Sequence, residues 1–126
     1  MVTIRPQKDF PFIEEYKKQF AVTSGTIFAG GDSIYTDYKL TEDLLVHELV
    51  HLRQQAKHGL LEWVHDFLEY PEFRLKQEVE AYREQLKSIK DRNHRNTVRL
   101  ESAKNLSSSL YGNIISYDDA LKALKV

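Results

Sequence analysis

The chain contains no cysteine, which removes a disulfide framework, a thiolate zinc site and a cysteine nucleophile together. Any metal it binds must be held by histidine and carboxylate. Charge of one sign is also missing. The 18 basic residues nearly balance 19 acidic ones, leaving a formal net charge of -1, so no strong field draws the chain to nucleic acid or to an anionic membrane. No run of about 18 apolar residues occurs, and Met1-Val2-Thr3-Ile4-Arg5-Pro6 lacks the apolar stretch of a signal peptide. The expectation is a protein of the cytoplasm with no membrane partner. What is present is an ordinary globular balance, 41% hydrophobic and 29% charged over 126 residues, enough for a single domain spanning 1–126 with one core.

In chain order, Val2 to Ile4 reads as a short edge strand ended by Pro6. A helix capped by Asp9 is expected to run to about Phe20, with Phe12, Ile13, Tyr16 and Phe20 on one core-facing stripe. Thr26–Ala29 and Ser33–Tyr38 read as two strands of a hairpin. Gly30-Gly31-Asp32 supplies the positive φ of its turn, and no phosphate-binding glycine spacing surrounds it. Thr41 can cap a helix to about His58, with Glu42 and Asp43 at the positive end of the dipole and Gly59 closing it. Leu45, Leu49, Leu52 and Ala56 form its expected apolar stripe. Leu60–Tyr70 continues helically until Pro71 breaks or restarts the chain. Helices follow from Glu72 to about Lys90, around Val98–Leu110, and from Tyr117 to about Lys125 with Ser116 as cap. The polar stretch Lys87–Asn96 is an exposed continuation or the turn of a helical hairpin. The fold class is α+β, mostly helical, with a small hairpin or sheet upstream of a helix pair.

The chemistry-bearing motif is His47-Glu48-Leu49-Val50-His51. Residues four apart stand one turn above each other, so the two imidazoles can aim at one metal ion. Glu48 projects from a neighbouring angle, where it can reach a water on that ion without binding the ion itself. Catalytic zinc takes three protein ligands and keeps one position open, so a third ligand must lie downstream. The candidates are His58, His65, Glu78, Glu80 and Glu84. A metzincin would have glycine and histidine three and six residues beyond His51; Gln54 and Lys57 stand there instead. Glu78-Val79-Glu80-Ala81-Tyr82 is the better source. A carboxylate on an antiparallel helix could approach from the side, with the small Ala81 allowing close approach. Glu80 competes with Glu78 from a different face.

His47-Glu48-x-x-His51 followed by Glu78-x-x-Ala81 resembles the gluzincin group of zinc metallopeptidases. Ser33–Gln85 also resembles small phage- or prophage-encoded HExxH proteins, which carry a similar strand, helix, Trp-containing linker and E-x-E-A-Y ending. The resemblance implies Zn2+ as cofactor, His47, His51 and Glu78 as its ligands, and Glu48 as general base. It also implies the host cell's cytoplasm if a phage encodes the chain. The chain departs from the pattern at Tyr82, where related peptidases have Asp or Asn supporting a histidine. Tyr82 either does so through its hydroxyl or only packs. His65 as a third ligand would resemble the SprT-like zincins, but the glycine-flanked histidine of that group is missing.

The expected activity is peptide-bond hydrolysis, with the oxyanion met by the metal and by a donor among Tyr70, Tyr82, His65 and Tyr117. The expected substrate is a polypeptide in extended form, added to the edge of the Ser33–Tyr38 strand. The alternative is a catalytically silent module whose metal serves stability or partner recognition, or a regulatory protein of phage origin. Glu48 favours the enzyme, because a structural site needs no carboxylate beside its ligands.

Overall fold

A computed structural model describes residues 1–126. The order of elements is β1 (Thr3–Arg5), α1 (Ile13–Gln19), β2 (Phe28–Gly30), β3 (Ser33–Tyr35), α2 (Glu42–His58), α3 (Leu60–Glu69), α4 (Pro71–Ser88), α5 (Arg92–Leu106) and α6 (Tyr117–Ala123). Single 3₁₀ turns occupy Gln7–Asp9 and Ser109–Tyr111. The molecule is a mostly helical α+β fold, and no helix is long and apolar enough to cross a membrane.

The elements start and stop where local chemistry directs. The hydroxyl of Thr41 accepts from the Leu44 amide at the start of α2, and Ser116 accepts from Asp119 at the start of α6. Gly59 (φ +98°) turns the chain between α2 and α3 in a conformation that side chains rarely adopt. Pro71 opens α4, where its missing amide hydrogen costs nothing. The stretch after α4 is a turn, and Asp91 caps α5 by accepting from His94.

Three expectations need correction. The helix before the hairpin starts at Ile13, and Asp9 closes a 3₁₀ turn instead of capping it. The Ser33–Tyr38 strand is not an edge. Its ordered part, β3, is the middle strand, parallel to β1 and antiparallel to β2 with Phe28 opposite Tyr35. The N-terminal residues 3–5 occupy its far side, which no local pattern reveals. On α2, Leu45 and Ala56 are exposed, and the buried face carries His47, Glu48, Val50, His51, Leu52 and Gln55. The histidines stand at the centre of that face. Burial of so many polar groups costs stability wherever one lacks a partner.

Two main hydrophobic clusters flank this helix. One packs the rings of Phe10, Tyr16, Phe20, Phe28, Trp63 and Phe67; the other joins α4, α5 and α6 through Leu86, Leu106 and Leu124. Arg74 ties the two sides together. Buried, it lies over the Phe20 ring at 4.9 Å and donates to the carbonyls of Phe67 (2.6 Å) and Tyr111 (2.9 Å).

Candidate metal centre

One turn of α2 sets the His47 and His51 ring centroids 4.9 Å apart. Each ring rests on a different cluster, His47 edge-on to Tyr82 at 4.4 Å and His51 tilted to Trp63 at 5.5 Å. Helix α4 runs antiparallel beside them, since Asp43 meets Gln85 while Gln54 meets Gln77. Glu78, Ala81, Tyr82 and Gln85 fall on one face of α4 at spacings of three and four residues. Ala81 is fully buried on that face, and its small side chain lets α4 approach α2.

Glu78 spans the two imidazoles. Its Oε1 lies 3.2 Å from His47 Nε2 and its Oε2 lies 3.0 Å from His51 Nε2. Ligand atoms of the three buried residues all fall within 4.8 Å of one another.

The surrounding hydrogen bonds orient both rings. Gln85 directs its NH₂ at Asp43 Oδ2 (2.8 Å), which can only accept, so its carbonyl oxygen faces His47 Nδ1 at 2.9 Å. Gln54 directs its NH₂ at Glu80 (2.6 Å) and at the Gln77 carbonyl (3.1 Å), turning its oxygen to His51 Nδ1 at 2.9 Å. Both Nδ1 atoms therefore donate, and both Nε2 lone pairs are left for the centre. Two imidazole nitrogens and a carboxylate then converge as acceptors on one small space. A divalent cation of zinc type fits that donor set.

The electrostatics agree with this geometry. Burial opposes charge on Glu78, but the neighbouring imidazoles overcome it and hold the carboxyl well below the usual range. Burial likewise opposes the His51 imidazolium, yet Glu78 raises its pKa to about 9, so without metal a proton sits between them. Burial pushes Glu48 upward; His47 and His51 offset part of that, and Glu78 adds to it. Glu48 engages no protein donor and lines a cavity of about 1210 Å³ that reaches the three ligands.

His47, Glu48, His51, Glu78 and Tyr82 all line this cavity. The other candidates do not. Glu80 is diverted to Gln54, and His65 is exposed beside Asp66. His58, the last residue of α2, also pairs with Asp66 at 2.8 Å, and Glu84 pairs with Lys87 at the surface. Tyr70 and Tyr117 are exposed and lie off the cavity wall. Tyr82 packs on His47 through its ring while its hydroxyl meets that of Tyr111 at 2.9 Å, so it supports the histidine by contact alone.

Sequence reasoning missed Gln54, Gln85, Asp43, Tyr16 and Tyr111. Three of them carried a helical signal: Asp43 stands four residues before His47, Gln54 three after His51 and Gln85 seven after Glu78. Tyr16 and Tyr111 come from α1 and the turn after α5, and only the fold brings them to the cavity. No family model, characterised protein or solved structure matches the chain.

Proposed function

We propose that the protein is a zinc-dependent metallopeptidase that hydrolyses peptide bonds in extended polypeptide segments. The observation that carries the reading is the convergence of His47, His51 and Glu78 beside an unpartnered Glu48 in one cavity. A cation held by these three ligands supplies Lewis acidity and acidifies a water.

The chain's own residues supply the rest. Glu48, its pKa raised by burial, accepts the proton of the attacking water and passes it to the leaving amine. Gln85 and Gln54 keep both imidazoles in the ligating tautomer. Tyr16 is a cavity-lining donor for the developing oxyanion. Burial and the charges of Glu78 and Glu48 keep its hydroxyl protonated, and the rings of Phe10, Phe20, Phe28 and Phe67 hold it in place.

The extended substrate is assigned to β2, the strand beside α2. The side-chain amide of Gln55 already occupies part of this edge, donating to the Ala29 carbonyl (2.9 Å) and accepting from the Gly31 amide (2.8 Å). By strand alternation Ile27 presents the next outward backbone groups, and it lines the cavity.

The test is Glu48→Gln. Zinc content and fold should be retained, while cleavage of an unfolded test protein falls by at least about a hundredfold. A wild-type protein that holds zinc yet cleaves nothing across a broad peptide library would overturn the reading in favour of a metal-stabilised binding module.

A further inference from the structure

The cavity has two chemically different ends, with the metal centre between them. On the His51 side its walls are aromatic: Tyr16, Phe28, Trp63 and Phe67. On the other side, beyond the first turn of α2, it is lined by Glu42, Asp43, Asp91 and Glu101, against which stand only Lys90 and His94. The face of α5 that forms this wall carries Val98, Glu101, Ser102 and Asn105, spaced as one helical stripe. Ser102 is the informative member. It is 3% exposed, and its hydroxyl engages no partner in the protein. The only enclosed polar side-chain atom lacking a partner is Nε of Arg99, so the Ser102 hydroxyl opens into the cavity, where it can accept or donate. The carboxylates beside this hydroxyl only accept, so together they make a polar wall suited to a donor-rich group.

We infer that this end is a subsite for a basic side chain, so that the preferred substrate is a peptide with lysine or arginine on one side of the scissile bond and a large apolar residue on the other. The inference rests on the peptidase reading for the word scissile, but the subsite stands on its own lining. Asp43 lies one turn before His47, about 6 Å along the axis of α2. Extended chain advances about 3.3 Å per residue, so the side chain entering this end comes from roughly two residues along the peptide. A lysine or arginine there gives the Ser102 hydroxyl a donor and meets the excess negative charge. A glutamate would leave the hydroxyl its proton to donate but would face the carboxylates.

The experiment uses zinc-loaded protein and fluorescent peptides identical except for Lys, Ala or Glu at each position flanking a central apolar pair. Binding is read with Glu48→Gln and turnover with wild type. At one position the Lys peptide should bind about tenfold tighter than the Glu peptide, shrinking in 0.5 M salt because Glu42, Asp91 and Glu101 are exposed. The double variant Glu42→Gln/Glu101→Gln, both surface positions, should reduce that preference to about twofold. Equal binding of Lys, Ala and Glu peptides at every position would overturn the inference and leave the peptidase reading intact. A charge preference in binding with no turnover of any peptide would instead sustain the subsite and remove the peptidase.

Discussion

At the scale of residues, the centre depends on two glutamines as much as on its ligands. Gln85 and Gln54 are each fixed by a carboxylate on the far side, Asp43 and Glu80, and so each can only accept from a histidine. Replacing either with alanine should therefore weaken zinc binding by about 10- to 100-fold, while Glu84→Gln, at the surface, should not. Competition titration with a chelating dye measures both. Protons compete for the same atoms. His51 is raised from 6.5 to about 9 by Glu78 in the metal-free protein, so zinc must displace that proton. Apparent zinc affinity should climb about tenfold per pH unit from pH 7 and level off near pH 9. The sign for stability is opposite. A raised histidine pKa contributes stability that is complete below about 6.5 and disappears as pH passes through 9. Chelated protein should consequently be easier to unfold with urea at pH 9.5 than at pH 6.5. A flat profile would remove the His51–Glu78 proton from the account.

At the scale of elements, the α2–α4 pair sets the distance across the centre. Ala81 sits on the same face of α4 as Glu78 and Gln85 and is fully buried. Enlarging it (Ala81→Leu) forces the helices apart, at a cost of about 1–3 kcal/mol. Zinc affinity should fall further than that loss of stability alone predicts, because Glu78 withdraws from both imidazoles. Chemical denaturation and metal titration of the same variant separate the two effects. The helices themselves were legible in the chain. Thr41, Pro71 and Ser116 mark starts, and Gly59 marks a stop, through interactions confined to a few neighbouring residues; the start at Asp91 was not read, and α5 begins at Arg92, ahead of the expected Val98. The sheet was less so. Its hairpin could be read from Gly31 and the β-prone runs beside it, but β1 reaches β3 across almost thirty residues, and that pairing turned a supposed edge into the central strand.

At the scale of the whole molecule, the centre lies at the seam between two hydrophobic clusters, with His51 against one and His47 against the other. A metal held there would tie α2, whose Leu52 packs on the sheet in a third small cluster, to α4, which carries Tyr82 and Leu86 of one main cluster and sets Phe73 against the other. Zinc held at about 100 times its dissociation constant should stabilise the fold by roughly 2.7 kcal/mol, or on the order of 10 °C in Tm for a chain of this size. Differential scanning fluorimetry with and without chelator reads this directly. An unchanged Tm would mean that no ion is bound where the three ligands meet.

The sequence alone determined whatever a helix decides within its own turns. His47 and His51 share a face because they are four residues apart, Glu48 is offset from them, and Glu78 shares its face with Ala81 and Gln85. Helical spacing alone could not choose between Glu78 and Glu80, because both are helical glutamates whose difference is the neighbour each meets. The tertiary structure made that choice by turning Glu78 toward two imidazoles and Glu80 toward Gln54. It also brought Tyr16 from α1, Tyr111 from the turn after α5 and the Glu101–Ser102 face of α5 to one cavity. Such meetings depend on how separate elements pack, and packing is a property of the whole chain rather than of any stretch within it.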